Sequence, residues 1–296
     1  MKILVAGGSG FIGSHIVREI SQTFPDETVR VMSRRPAPVA SRVESCGGDV
    51  TDPASLPDCV RGIDVVVQCI QFPNHPVEKP SRGWTYEKID GEGTVNMVRA
   101  AKEAAVRRFV YLSGAGTAPG KPQPWFRAKH RAEEAVRNSG MEYAIFRPSW
   151  IYGPGDRSLN RLVAFTRMLP FVPVIGSGQA RVQPVSVFDL ARIVALATVS
   201  PQAPDRVFDV GGPQQLSMNE ILRIVQEVIG KRRPLLHAPA GLMKVISRGL
   251  AVLPTPPLSP SAIDFIQMEE KVDPRPTEEY FGIRFEGLRS ALRRYL

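Results

Sequence analysis

The chain opens Lys2-Ile3-Leu4-Val5-Ala6-Gly7-Gly8-Ser9-Gly10-Phe11-Ile12-Gly13-Ser14-His15-Ile16-Val17. Ile3 to Ala6 is a short apolar run of the kind that forms a strand buried on both faces. After a glycine-rich turn, Phe11, Ile12, Ile16, Val17 and Ile20 recur at helical spacing. The succession predicts strand, turn and helix. Gly7, Gly10 and Gly13 let the backbone turn tightly, reach a pyrophosphate with no Cβ in between, and pack the helix close to the strand. The phosphates would meet the N–H groups at the helix N-terminus. Such a glycine spacing also occurs in plain connections, so the residues that follow have to support it.

They do so in order. Strand and helix signals alternate through the first half, which predicts a parallel sheet with right-handed crossovers. Thr28 to Met32 reads as the second strand. About 20 residues after the glycines, where this fold often places an acid for a ribose 2′-hydroxyl, the chain has Ser33-Arg34-Arg35. A carboxylate there would repel a 2′-phosphate, whereas guanidinium groups bind it through charge-assisted hydrogen bonds. NADP(H) is therefore the preferred cofactor, with NAD(H) the alternative; the bland reading is two solvated arginines. Gly47-Gly48-Asp49-Val50-Thr51-Asp52-Pro53 ends a third strand and opens a helix, with Asp52 as N-cap and Pro53 at the first helical position. Asp49 is a candidate acceptor for the adenine amino group, or else a turn-forming Asp. Ile63 to Cys69 reads as a fourth strand, and its end, Cys69-Ile70-Gln71, is expected to face the nicotinamide ribose. A proline-rich loop from Phe72 to Trp84 borders the expected substrate cleft.

Tyr86 to Ala105 predicts a long helix, and Arg107 to Ala115 a fifth strand ending in small residues. Arg147-Pro148-Ser149-Trp150-Ile151-Tyr152-Gly153-Pro154-Gly155-Asp156 follows a sixth strand, Met141 to Arg147. Together the glycine turn, Gly-Asp-Val-x-Asp, Asp90-Gly91-Glu92-Gly93-Thr94, Arg108-Phe109-Val110-Tyr111-Leu112-Ser113 and the Arg147 to Asp156 run resemble an extended short-chain dehydrogenase/reductase, over nearly the whole chain. Within that superfamily the chain is most similar to the atypical branch that includes the nucleotide-binding accessory subunit of respiratory complex I and its bacterial relatives. The resemblance implies an α/β fold, a Rossmann-like doubly wound parallel sheet with a smaller C-terminal substrate-side part. It divides the chain at 1–155 and 156–296 within one body. It also implies cofactor contacts at Gly7, Gly10, Phe11, Ile12, Gly13, Arg34, Arg35, Asp49, Val50, Cys69, Ile70, Lys129 and Pro148.

The family usually pairs Tyr and Lys four residues apart on one helix face. The phenol moves the proton at a carbonyl, the ammonium lowers its pKa and holds the ribose, and a serine orients the substrate oxygen. This chain reads Trp125-Phe126-Arg127-Ala128-Lys129. The Lys is present and the Tyr is not; an indole N–H donates a hydrogen bond but has no useful acidity. Ser113 is a loose match to the family's serine, and Asp90 stands where extended members commonly carry Asn. Lys129 and Ser113 are the remaining catalytic candidates. Three readings follow. The chain binds NADPH and does little chemistry, as accessory or redox-sensing protein. Alternatively it is a reductase, or an epimerase/dehydratase-like enzyme, using Lys129 and Ser113 on a small carbonyl, quinone or enone. On the third, Lys129 is only a solvated helix residue.

Composition is that of an ordinary globular protein: 296 residues, 43% hydrophobic and 23% charged. A charge of +9 raises the question of nucleic acid. The basic residues come in short groups, Arg34-Arg35, Arg107-Arg108, Lys231-Arg232-Arg233 and Arg293-Arg294, with no long stripe or interleaved aromatics, so no nucleic acid is expected and all but the first pair read as solvated. Cys46, Cys59 and Cys69 lack CxxC spacing and read as reduced thiols. No metal site is expected, no signal peptide is seen before the first strand, and the cytoplasm is the default compartment. In the second half, helices are expected at Asn160 to Leu169 and Phe188 to Val199, with Arg181 in a surface salt bridge or facing a substrate anion. Trp150 and Tyr152 either line a pocket or pack their loop down. A last strand is expected at Phe208 to Gly212, and a capping box at Ser217 to Glu220 before the helix Ile221 to Ile229. Pro239 to Leu253 reads as an apolar helix with a thin basic face, expected to cap the cleft as core, with a peripheral membrane or a respiratory-complex-like protein as possible partner.

Overall fold

The computed structural model describes residues 1–36, 43–201, 205–250 and 258–296. Its centre is a seven-stranded sheet built from β1 (Lys2–Ala6), β2 (Thr28–Ser33), β3 (Val43–Gly47), β4 (Val65–Gln68), β5 (Arg108–Leu112), β6 (Glu142–Pro148) and a late strand, Arg206–Val210. Every pairing is parallel, and the spatial order runs from Arg206–Val210 through β6, β5, β4, β1 and β2 to β3. The chain winds outward from β1 to β3 and then crosses back to β4, so the switch of direction lies between β1 and β4. In such sheets the crevice beyond the carboxyl ends at that point is where a nucleotide sits.

Alternate strand residues feed two cores, as a sheet covered on both faces requires. Leu4, Ala6, Val66, Phe109, Tyr111 and Ile145 pack against α2 (Pro57–Val60), α3 (Gly93–Glu103) and α4 (Pro124–Arg137). Ile3, Val5, Val65, Val67, Val110, Leu112 and Phe146 pack against α1 (Phe11–Thr23) and the helix Val187–Val199. The long helix expected from Tyr86 to Ala105 is in fact a π-helical stretch, Tyr86–Glu92, running into α3. The wider turns bring Asp90 inward, fully buried.

Beyond β6 come β7 (Ile151–Tyr152), α5 (Ser158–Met168), β8 (Val172–Ile175), β9 (Arg181–Val182), β10 (Val185–Ser186), α6 (Val187–Val199), β11 (Arg206–Val210), β12 (Leu216–Ser217), α7 (Met218–Ile229), β13 (Leu235–Ala238), α8 (Ala240–Gly249), α9 (Pro260–Ile266), α10 (Arg275–Phe281) and α11 (Leu288–Arg293). Ser217 and Glu220 form the expected reciprocal capping box on α7. The strand at 206–210 is not the last, since β12 pairs with β9 and β13 with β8.

Three expectations are corrected. Arg108 is not solvated; it is fully buried, donating through Nη1 to the carbonyls of Ala197 (2.8 Å) and Ser200 (2.7 Å) at the C-terminus of α6, with Nη2 2.9 Å from Glu142. A cation at a helix C-terminus satisfies carbonyls that have no intrahelical donor. Cys46 and Cys59 are paired as a disulfide, Cα to Cα 5.7 Å, because the end of β3 packs on α2. Finally, α8 is not core: Leu242, Val245 and Ile246 are exposed, and among its described side chains only Ser247 is buried. Val252 and Leu253, expected on the same helix, lie outside the described residues.

Candidate functional site: a dinucleotide cradle over a buried lysine

The cradle begins at Gly7, whose φ of +84° suits glycine, and whose carbonyl accepts from Gly10 N–H at 2.9 Å. A Cβ on Gly13 would lie 2.2 Å from the Gly7 carbonyl oxygen and 2.7 Å from Gly8 Cα, so only glycine lets α1 start this close to β1. Gly10 is the N-cap of α1. It brings no side-chain cap, and there is no acid in the first turn. The amides of Phe11, Ile12 and Gly13 thus stand at a helix N-terminus with no internal competitor for an anion. Ile70, just after β4, lies against Gly7, and the Cys69 thiol donates to the Ala6 carbonyl at 3.1 Å. The two sides of the topological switch therefore meet at the glycine turn. Burial pushes the Cys69 thiol up to about 12 despite the Lys129 charge, which leaves it protonated and no nucleophile.

Arg34 and Arg35 are exposed after β2, and no carboxylate among the described residues pairs with either. Asp49 is engaged locally: Oδ1 accepts from Thr51 N (2.9 Å) and Thr51 Oγ1 (2.8 Å), an Asx turn. Val50 is buried against Gly93, and its carbonyl accepts from Asn96. Asp52 caps the short turn Pro53–Ser55 as expected. These residues fit a dinucleotide: an uncapped helix start, a glycine the packing demands, and two guanidinium groups one strand away with no described carboxylate to hold them.

Lys129 on α4 is buried, with Nζ 3.1 Å from Asp90 Oδ1, 3.3 Å from the Leu112 carbonyl and 5.4 Å from the centre of the Tyr111 ring. Burial disfavours the ammonium, but Tyr111 and Asp90 outweigh it and hold Lys129 above its ordinary pKa. The solvated-residue reading of Lys129 is wrong; it is a fixed internal charge. Burial also pushes the Asp90 carboxyl up, with Lys129 opposing. Gln68 and Thr94 complete the polar group, Gln68 Nε2 lying 3.4 Å from Thr94 Oγ1.

Ser113 points into a different network. Its hydroxyl donates to Glu133 Oε1 at 2.6 Å, and Glu133, fully buried, also accepts from Arg147 Nε (2.8 Å), Arg147 Nη2 (2.6 Å) and Arg137 Nη2 (2.6 Å). Trp125, one turn before Lys129, packs against Tyr86, Phe126 and, edge to face, Phe265 of α9, and His75 meets Phe265 in turn. Neither the Trp125 indole N–H nor the Tyr86 hydroxyl has a partner among the described residues. Burial drives His75 down to about 3, with Lys129 adding to the effect, so it is neutral.

Pro148 ends β6 and accepts from Ala115 N–H at 2.9 Å, which holds the small-residue turn after β5. The following loop is tied to α1 by His15, whose Nε2 is 3.0 Å from the Pro154 carbonyl. Tyr152 is fully buried and Trp150 is packed in the same cluster, so both hold the loop down. Arg181 lies 3.8 Å from Glu220 on the surface. Sequence reasoning missed Glu133, Tyr111, His75 and Phe265. Glu133 carried a signal, an acid four residues after Lys129 on α4, but of its partners only Arg137 is on α4, and Ser113 and Arg147 come from two other segments.

Fold and cradle define a nucleotide-binding α/β protein. The NAD(P)H-binding family model matches residues 7–166, and the chain belongs to that family. It is similar to subunit 9 of the NADH dehydrogenase [ubiquinone] 1 alpha subcomplex of Arabidopsis thaliana mitochondria, 27% identical over 234 residues that make up 76% of this chain and 57% of the relative, so it spans little more than half of that protein's length. It is 26% identical over 236 residues to an NAD(P)H azoreductase of Xenophilus azovorans, covering 77% of this chain and 74% of that one. Among solved structures, MoeE5 in complex with UDP-glucuronic acid and NAD superposes with a TM-score of 0.77 at 24% identity, over 99% of this chain and 96% of the other, which shows a shared fold.

Proposed function

We propose that the chain binds NADPH in preference to NADH and acts as a cofactor-binding accessory or redox-sensing protein in which tyrosine-dependent proton transfer has been lost. The observation that carries this reading is the state of the three positions where that chemistry would reside. Residue 125 is an indole without useful acidity. Lys129 is locked as a charged partner of Asp90, and the Ser113 hydroxyl is committed to Glu133. Lys129 keeps the role of an internal cation that holds ribose hydroxyls, and the α1 amides and Arg34-Arg35 hold the phosphates. A bound nicotinamide would supply hydride chemistry; the residues around it offer orientation and charge. The relationship to a complex I subunit supports a respiratory-complex-like protein as partner, and the reduced thiols expected of a cytoplasmic setting no longer include Cys46 and Cys59.

A second reading, a reductase acting on a substrate that takes its proton from water, is favoured by the likeness to an azoreductase. One titration separates the two. The protein is loaded with NADPH and the reduced-nicotinamide absorbance followed while quinones, aldehydes, ketones, enones and an azo dye are added in turn. A band that persists is the expected result. Its loss with one class, abolished by Lys129→Ala, would replace the accessory reading with the enzymatic one. The cofactor preference is tested separately by Arg34→Asp, which should weaken NADPH by about tenfold or more relative to NADH, the scale of one lost charge-assisted pair. An unchanged ratio would refute the 2′-phosphate assignment.

A further inference from the structure

The segment 231–250 has a composition unlike the rest of the chain: Lys231, Arg232, Arg233, Lys244 and Arg248, and no Asp or Glu in 20 residues. It folds as β13 and α8. On α8 the side chains Leu242, Val245 and Ile246, spaced three and four apart and hence on one face, are 55%, 61% and 44% exposed. Leu236 of β13 is 55% exposed as well, and Phe171, immediately before the paired strand β8, is also exposed. An aliphatic stripe facing solvent on a helix is costly unless something covers it. The opposite side of α8 is anchored, with Lys244 Nζ 2.6 Å from Asp264 of α9 and Ser247 buried. Lys231, Arg232, Arg233 and Arg248 pair with no carboxylate among the described residues.

We infer that this face docks on an anionic lipid surface, α8 lying in the plane of the interface with Leu242, Val245 and Ile246 inserted and the segment's cations that lack a carboxylate partner, the exposed Arg232 and Arg248 foremost, over acidic headgroups. Two independent signals, apolar insertion and a basic cluster, are what reversible membrane binding needs. The ten residues of α8 are far too few to span a bilayer. A protein partner fits less well: protein interfaces concentrate their binding energy in aromatic anchors seated in pockets, whereas the stripe on α8 is aliphatic and Phe171, next to β8, is the one aromatic residue named with it.

The test is co-sedimentation of the full chain with vesicles of phosphatidylcholine alone or with phosphatidylglycerol added. Binding to the anionic vesicles, weakened by salt, is expected, and little to the neutral ones. Arg232→Ala with Arg233→Ala should lower the partition coefficient roughly 25-fold, about fivefold for each lost charge. Leu242→Ser, Val245→Ser and Ile246→Ser together should lower it by about tenfold per fully inserted side chain. Arg232, Leu242, Val245 and Ile246 are exposed and Arg233 is half-buried with its Nε covered, so the α8 triple variant and Arg232→Ala alone should keep the wild-type melting temperature and NADPH affinity. Equal binding to both vesicle types, no binding to either, or variants that bind as the wild type does would overturn the inference. So would a dimer in solution that the triple variant dissociates, since a second copy would then cover the face.

Discussion

Glu133→Gln separates a structural from a catalytic role for Ser113. The wild-type carboxylate is fully buried and takes four donors within 2.8 Å, one hydroxyl and three guanidinium N–H groups. Glutamine keeps the shape but removes the charge and turns an NH₂ toward one of those donors. Breaking one side of a buried pair costs about 3–5 kcal/mol; Arg147 and Arg137 retain 20% and 30% of their side-chain exposure, which screens the loss and places the expectation at about 3 kcal/mol. At roughly 2–4 °C per kcal/mol for a chain of this size, the melting temperature should fall by roughly 6–12 °C. The pH profile gives a second signature. Burial raises the Glu133 pKa, but the bonds from Arg147, Ser113 and Arg137 outweigh it and bring it below 4.5. A depressed folded-state pKa contributes stability above the unfolded value that is lost as pH falls through the folded one. Wild type should therefore lose its advantage over Glu133→Gln below about pH 4.5, in urea denaturation followed by circular dichroism. A difference under about 1 kcal/mol at neutral pH, or one unchanged down to about pH 3, would refute the network's role and return Ser113 to the catalytic candidates.

Arg108→Met should cost about 2–4 kcal/mol in the same denaturation assay, because the α6 carbonyls lose their donor in a buried place; Arg107→Met, at an exposed ion pair, should stay within about 0.5 kcal/mol. Equal effects would mean that Arg108 does not cap α6. Gly13→Ala should lower stability by about 1–3 kcal/mol through overpacking and weaken NADPH by about tenfold or more in fluorescence titration, since α1 must retreat from Gly7; affinity within about twofold of wild type would remove the α1 amides from the phosphate site. Trp125→Tyr should leave NADPH affinity within about threefold, the residue packing on Tyr86 and Phe265 and not on the glycine turn. A collapse of binding would place Trp125 against the cofactor.

What could be read before the structure was what local pattern encodes. The central strands β1 and β4 and the turn at Gly7 to Gly13 announce themselves because a strand buried on both faces is an apolar run, and because a Cβ at position 13 has nowhere to go. The Asp52 and Ser217 caps are equally local, each bond reaching no more than three residues. Arg108 shows where such reading stops. Nothing close to it in sequence hints that the end of α6, about ninety residues on, would need a donor there. Glu133 is the same case, its partners being just after β5, on β6 and one turn along α4. Cys46 and Cys59 became neighbours only when β3 and α2 packed together.

The reading of α8 failed for a different reason, and the failure carries information. Apolar periodicity states that a helix face avoids water, not what it avoids water with. For α1 the face carrying Ile16 and Ile20 is covered by this chain's own sheet and by α6. The same pattern at Leu242, Val245 and Ile246 meets solvent instead, within a twenty-residue stretch where five cations stand without an acid. A core helix gains nothing from that charge, because burial would penalise it. A helix that completes its hydrophobic contact on an acidic surface gains from both features at once, so the charge pattern, which the core reading left unexplained, is the part of the sequence that distinguishes the two.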